Sequence, residues 1–179
     1  FFPGGGASWG KDAYFKQWPV ASYAGLINKV IEKFSATVIL LGDQKDRALS
    51  QELAPSVAGP VINLCGATTL LQTAALLTRC DVAVANDGGP LHVAVAAGVR
   101  TVSIFGPVNA TVYGPYPREG HEVVTHDILC RPCYRYFRRA DCAHVSCLSQ
   151  ITPDDVFEKI EKILSTLGKT NVRDKSREH

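Results

Sequence analysis

The sequence predicts an α/β fold: a parallel sheet with helices on both faces. Two observations carry that expectation. Apolar runs of strand length alternate with segments whose apolar residues recur at helical spacing. Several of the strand-like runs end in glycine-containing turns, at the edge where such sheets bind ligands. The chain has 179 residues, 46 % of them apolar, which is enough for one domain with a core.

The elements follow in order. Phe1-Phe2-Pro3 reads as the end of a strand, and with no Met in the chain this start suggests a piece of a longer protein. Pro19–Phe34 reads as a helix, with Pro in its first turn and Tyr23, Leu26, Ile27, Val30, Ile31 and Phe34 on one face. Thr37–Leu41 is a buried strand that stops at Gly42, and Gln44–Leu53 a second helix. Val61–Leu64 is a short strand and Thr69–Arg79 a third helix. Asp81–Ala85, Leu91–Ala97 and Thr101–Phe105 then read as strand, helix and strand, and His121–Thr125 as a last strand. Thr152 caps a final helix that runs to Leu167, with Asp154 and Asp155 in its first turn. Gly106–Ser149 is the one long irregular stretch. The domain is therefore placed at residues 1–167, and the polar tail 168–179 is expected to be disordered.

Composition excludes some classes. A net charge of +2 gives no broad electrostatic case for nucleic acid. No apolar run has the length of a membrane span and no secretory pattern is visible, so a cytoplasmic location is expected.

The most telling motif is Asn86-Asp87-Gly88-Gly89-Pro90. A strand end, a glycine turn and a helix start build an anion site, because the first helical amides lack partners and the helix dipole adds positive charge. His92 lies in that first turn. The structural alternative is a helix cap with a capping or core histidine. The turn matches neither G-x-G-x-x-G nor the P-loop. A second glycine loop, Pro3–Gly10, precedes Lys11 and then Lys16-Gln17-Trp18-Pro19. Such a loop can wrap a diphosphate, and Lys16 can reach the same strand edge; for Lys11 a solvated surface position is the better reading. Asp43 and Asp46 follow a strand end, where a carboxylate can accept both hydroxyls of a ribose. They suit an N-cap and first-turn acid equally well. Gly66–Thr69 reads as a helix cap.

Cys130, Cys133, Cys142 and Cys147 allow three states: a four-thiolate zinc site, disulfides or free thiols. Cys65 and Cys80 read as small buried hydrophobes. Arg131, Arg135, Arg138 and Arg139 interleave with Tyr134, Tyr136 and Phe137, a patch suited to an anionic acceptor, to membrane headgroups or simply to solvent.

Four ordered motifs carry a resemblance: Lys16-Gln17-Trp18-Pro19; Gly66 with Leu70–Leu77; Asp87–His92; and Phe105-Gly106-Pro107. Cys130-Arg131-Pro132-Cys133 and Cys147–Thr152 add to it. Together they resemble glycosyltransferase family 9, the lipopolysaccharide heptosyltransferases, from Pro3 to Leu164. The resemblance implies one Rossmann-like half of a GT-B architecture, the C-terminal, donor-binding half. It implies that Lys16 contacts the donor phosphates, that Asp87, Gly88, Gly89 and His92 form the donor loop, and that Asp46, or else Asp43, replaces the family's ribose-binding glutamate. Gly88 departs from the Ser or Thr of many members, which removes one hydroxyl donor. The implied reaction is an inverting transfer of a sugar, heptose from an ADP-heptose-like donor, to a lipopolysaccharide core acceptor. Lys16 and His92 would stabilise the leaving group, no cofactor is required, and the base lies in the N-terminal domain. The chain alone would bind donor and transfer nothing. Peripheral contact with the inner face of the bacterial inner membrane is a further implication. The competing readings are a nucleotide-sugar epimerase of GT-B type, for which no paired acid and base are evident, and a non-catalytic zinc-binding module on the four late cysteines.

Overall fold

The computed structural model describes residues 1–136 and 138–168, and for residues 7, 8, 11 and 139 the backbone alone. Phe137 of the expected basic patch and the tail beyond Gly168 lie outside the described residues. A 3₁₀ segment (Ala7–Lys16) is followed by α1 (Val20–Phe34), β1 (Val38–Leu40), α2 (Arg47–Leu53), β2 (Val61–Asn63) and α3 (Leu70–Leu77). Then come β3 (Ala83–Asn86), α4 (Gly89–Ala96), β4 (Thr101–Phe105), α5 (Ala110–Tyr113) and β5 (Glu122–Thr125). The short pair β6 (Tyr134–Arg135) and β7 (Arg138–Arg139), then α6 (Ser146–Ser149) and α7 (Pro153–Thr166), complete the described chain.

β1 pairs with β2, β3 with β4 and β4 with β5, all parallel. The first two residues join the two groups. Phe1 N donates to Ile39 O at 2.7 Å and Leu41 N to Phe1 O at 2.9 Å. On the other side Phe2 N donates to Val84 O at 2.8 Å, in a parallel bridge with Ala85. Numbered along the chain with Phe1–Phe2 as the first, the strands stand in the doubly wound order 3-2-1-4-5-6. The direction of winding reverses between Phe1–Phe2 and β3. Ligands of such sheets bind at that switch point, outside the carboxyl ends of the strands.

Alternation along the strands fills two cores. Val84, Val102 and Ile104 face α1 and α7, together with Trp18, Tyr23 and Ile160. Ala83, Ala85 and Phe105 face the other way, onto Leu77 of α3 and Leu91 and Ala94 of α4. The central strands are buried on both faces, as a covered parallel sheet requires. α7 starts at a capping box in which Thr152 and Asp155 satisfy each other's backbone amides.

Three segments differ from the sequence expectation. Ala7–Lys16 is a 3₁₀ segment broken at Gly10 (φ 55°, ψ −123°), where a plain glycine loop was expected. The helix expected over Gln44–Leu53 begins as a single 3₁₀ turn, because Asp43 and Asp46 cap it so tightly. The stretch from Gly106 to Ser149 carries α5, the β6–β7 hairpin and α6. Arg131, expected on an exposed patch, instead donates from Nε to Gly106 O at 2.6 Å and ties this stretch to the end of β4.

Candidate functional site

The switch point gathers three segments, and Asn86 holds them together. Its buried amide nitrogen donates to Pro3 O and Gly4 O, each at 2.9 Å, and its Oδ1 accepts from Trp18 N at 3.1 Å. The end of β3, the glycine loop and the entry to α1 are thereby fixed relative to one another. Gly6 (φ 72°) brings the loop against the turn, where a Cβ added to it would lie 3.8 Å from Gly88 Cα and Gly89 N. Its left-handed backbone is one that glycine adopts without penalty.

Asp87 and Lys16 meet at the centre. Lys16 Nζ lies 2.7 Å from Asp87 Oδ2, and both side chains are only 7 % exposed. No hydrogen bond from another described residue reaches that oxygen, so the ammonium is its partner. The same ammonium sits 4.7 Å from the centre of the Trp9 ring. A buried ion pair is expensive to assemble and very costly to break on one side, which fixes Lys16 at the mouth of α4.

α4 begins immediately after. Pro90 has no amide hydrogen, and Leu91 N donates back to Gly88 O at 3.2 Å. The amides of Gly88 and Gly89 are left at the positive end of the helix. Gly88 is extended (φ 167°, ψ −179°), a conformation open to any residue, and a Cβ there would meet Gly5 O at 3.4 Å. A serine would fit, so the fold does not demand the departure from the family's Ser or Thr. Nothing lies within 4 Å of a Cβ placed on Gly89. That open side is where a ligand can approach the backbone. His92 is exposed in the first turn.

Asp46 occupies the neighbouring strand end. Its Oδ2 accepts from Asp43 N at 3.0 Å, while Asp43 Oδ1 accepts from Lys45 N at 2.7 Å and Asp46 N at 3.2 Å. The cap reading is therefore satisfied. The Asp46 carboxylate also wedges against the glycine loop, since a Cβ on Gly4 would fall 2.0 Å from its Oδ1. Burial raises its pKa, and the amide of Asp43 works against that rise. Asp46 thus lies beside the glycine loop, whereas Asp43 points its oxygen into the turn. Thr69 caps α3 together with Gln72, as expected of that segment.

The late cysteines differ in their surroundings. Cys130, Cys133 and Cys142 all lie near enough to Cys147 to act on it electrostatically, but burial is the main cause that pushes its thiol up to about 11. Among the described residues no three His, Cys, Asp or Glu side chains converge on a metal position. No disulfide joins the described cysteines, which leaves the zinc reading at Cys130, Cys133, Cys142 and Cys147 without a converged ligand set among the described residues. Cys147, on α6, packs into the core, whereas Cys130 faces solvent. Tyr134 stacks on Trp9 at 4.7 Å, leaving Tyr136, Arg135 and Arg138 exposed.

Sequence reasoning passed over two residues of this site. Asn86 appeared only as a neighbour of Asp87, and its signal was its place at the strand end. Trp9 gave no signal beyond lying in a glycine loop.

The winding order and the glycine turns at its switch point define a Rossmann-like α/β domain. The chain belongs to glycosyltransferase family 9 (heptosyltransferase), whose model matches residues 5–144. It is 29 % identical over 164 residues to lipooligosaccharide heptosyltransferase 2 of Campylobacter jejuni serotype O:6, covering 88 % of this chain and 49 % of that protein. It is 31 % identical over 160 residues to lipopolysaccharide heptosyltransferase 2 of Salmonella typhimurium, covering 86 % and 44 %. The structure of E. coli ADP-heptose lipopolysaccharide heptosyltransferase II matches with a TM-score of 0.75 and 27 % identity, over 94 % of this chain and 46 % of that one. An E. coli heptosyltransferase solved with ADP shares the fold, with a TM-score of 0.63 at 23 % identity. The chain spans about half the length of the curated relatives it matches. The expected fold, a Rossmann-like half of a GT-B architecture, is the one found. The matched family is one of glycosyltransferases, which runs against the epimerase reading. Among the described residues no helix is long and apolar enough to cross a membrane.

Proposed function

We propose that this chain is the donor-binding half of a heptosyltransferase that moves heptose from an ADP-heptose-like donor to a lipopolysaccharide core acceptor. The observation that carries the reading is the buried Lys16 ammonium paired with Asp87 just before the start of α4, where the backbone at Gly89 has an open side. When the bond from the sugar to the diphosphate breaks, negative charge grows on the departing phosphate. Lys16 and the α4 amides lie where that charge would develop, and fixed positive groups there lower the barrier without reorganising. Their charge makes a metal unnecessary. His92, exposed at the same helix start, donates to the outer phosphate. Asp46 accepts from the ribose hydroxyls. The acceptor's proton is taken by a base in the other half of the cleft, on the face opposite the leaving group, which gives inversion. By itself the chain binds donor and transfers nothing. The enzyme works in the cytoplasm, at the inner face of the membrane that holds its acceptor.

Calorimetry with ADP tests this. The wild-type chain should bind, and Lys16→Met should weaken binding about 10- to 100-fold, the scale of a lost charge-assisted contact. His92→Ala should weaken it by a smaller factor. A folded wild-type chain that takes up no ADP, or variants that bind as well as it does, would refute the assignment.

A further inference from the structure

Trp9 has no role in the reading above, yet it touches the residue at its centre. Its ring lies under the Lys16 ammonium at 4.7 Å. Its ring is also in contact with Tyr134, with ring centres 4.7 Å apart at 37°. Tyr134 in turn meets Tyr113 edge-on at 6.1 Å. The backbone behind this stack is anchored, because Tyr134 N donates to Pro107 O at 3.1 Å, just past the end of β4. The kink at Gly10 is what lets the start of the 3₁₀ segment fold back over its own last residue.

We propose that Trp9 is a positioning residue for Lys16, braced from behind by Tyr134. The argument is physical. A lysine has four rotatable carbons and a strongly hydrated head, so a single carboxylate does not fix its direction. Asp87 alone would also draw the ammonium away from a neighbouring phosphate. An aromatic face supplies a second, diffuse attraction that takes up none of the carboxylate's oxygens and excludes water from that side. Between the Asp87 oxygen and the Trp9 face, the ammonium keeps one remaining direction for its donors. It is held at the switch point before any ligand arrives. Tyr134 belongs to the segment after β5, so the stack couples that distant segment to the phosphate end of the site.

This proposal rests on the donor-site reading, and its test separates the two. The probes are ADP and inorganic diphosphate, titrated into the 179-residue chain. Trp9→Leu should weaken both about three- to thirtyfold, the range expected for a desolvated cation–π contact. Equal loss with diphosphate, which has no base, distinguishes positioning from stacking on a nucleobase. Trp9→Phe should restore most of the affinity. In a Lys16→Met background Trp9→Leu should cost nothing further, since its effect runs through the lysine. A ligand-free readout accompanies this: the Lys16 side-chain methylene protons should be shifted upfield by the indole ring current, and Trp9→Leu should abolish the shift. Wild-type protein that binds both probes, with affinity insensitive to Trp9→Leu, overturns the positioning role alone. So does an undiminished loss in the Lys16→Met background, or the lack of any ring-current shift. A chain that shows the shift but binds neither probe overturns the donor-site reading, and the positioning role with it.

Discussion

Removing the charge of Asp87 should destabilise this protein far more than an ordinary polar substitution. The two charges are 2.7 Å apart and both side chains are 7 % exposed. At that distance their attraction is about 6 kcal/mol with an effective dielectric of about 20. Desolvation of the two ions costs several kcal/mol each, so the intact pair contributes little net stability. The asymmetry appears when one member is lost, because the other charge stays buried without compensation. Asp87→Asn should therefore cost about 3–5 kcal/mol. For a domain of this size that lowers Tm by about 6–20 °C. The double variant Lys16→Met/Asp87→Leu leaves no buried charge and should recover most of the loss. Urea unfolding followed by circular dichroism measures all three proteins. Repeating it in about 1 M salt, where the screening length is about 3 Å, should leave the differences unchanged, because solvent ions do not enter the pair. A loss below about 1 kcal/mol, or one that shrinks with salt, would refute the claim that the pair is desolvated. The double variant should also bind no ADP, which separates the pair's part in folding from its part in the site.

The turns and one histidine give three further outcomes. Gly89→Ala should leave stability unchanged or raise it by a few tenths of a kcal/mol, since its Cβ meets nothing within 4 Å, yet it should abolish the thermal shift given by ADP. Gly4→Ala should instead lower stability by about 1–3 kcal/mol, because its Cβ would lie 2.0 Å from Asp46 Oδ1. Burial, with Arg100 nearby, lowers the pKa of His121, whose Nδ1 lies 2.9 Å from Thr101 Oγ1. The unfolded chain then binds the proton more readily than the folded one, so this contribution is complete above the ordinary value of 6.5 and is lost as pH falls below it. Urea midpoints at successive pH values should fall in the wild type, and His121→Gln should flatten that slope; an equal slope in the variant would count against it.

Much of the fold was legible because local pattern and tertiary demand agree. Thr101–Phe105 has the same boundaries in both readings, since a short run rich in β-branched and apolar residues and bounded by turns suits a strand covered on both faces. α1 begins one residue after the expected Pro19, and β3 runs to Asn86 because its last residue is polar but buried. What the sequence could not reveal is contact across distance. Lys16 and Asp87 could be placed at one sheet edge, but nothing in either local sequence says that they pair. The role of Asn86 depends on carbonyls of residues 3 and 4 meeting it in space. The burial of Cys147 was hidden for the converse reason: a spacing that could bind metal says nothing of whether one thiol packs in the core. For Asp43 and Asp46 the cap and the carboxylate beside the glycine loop are both present, so the two readings were never exclusive.

The Phe1–Phe2 segment has a consequence for the order of folding. Among the described residues its backbone bridges the pair β1–β2 and the group β3–β4–β5, bonding Ile39 and Leu41 on one side and Val84 on the other. Each group can form from contacts between near neighbours in the chain. Their union cannot, because Phe1–Phe2 must find partners at Ile39 and Val84, far along the sequence. Contacts of that kind slow folding, since the loops they close must be ordered before the contacts reward them. The rate-limiting event should then be the insertion of two phenylalanines between two preformed groups of strands. The same event brings the glycine loop against Asn86, so the site is assembled last.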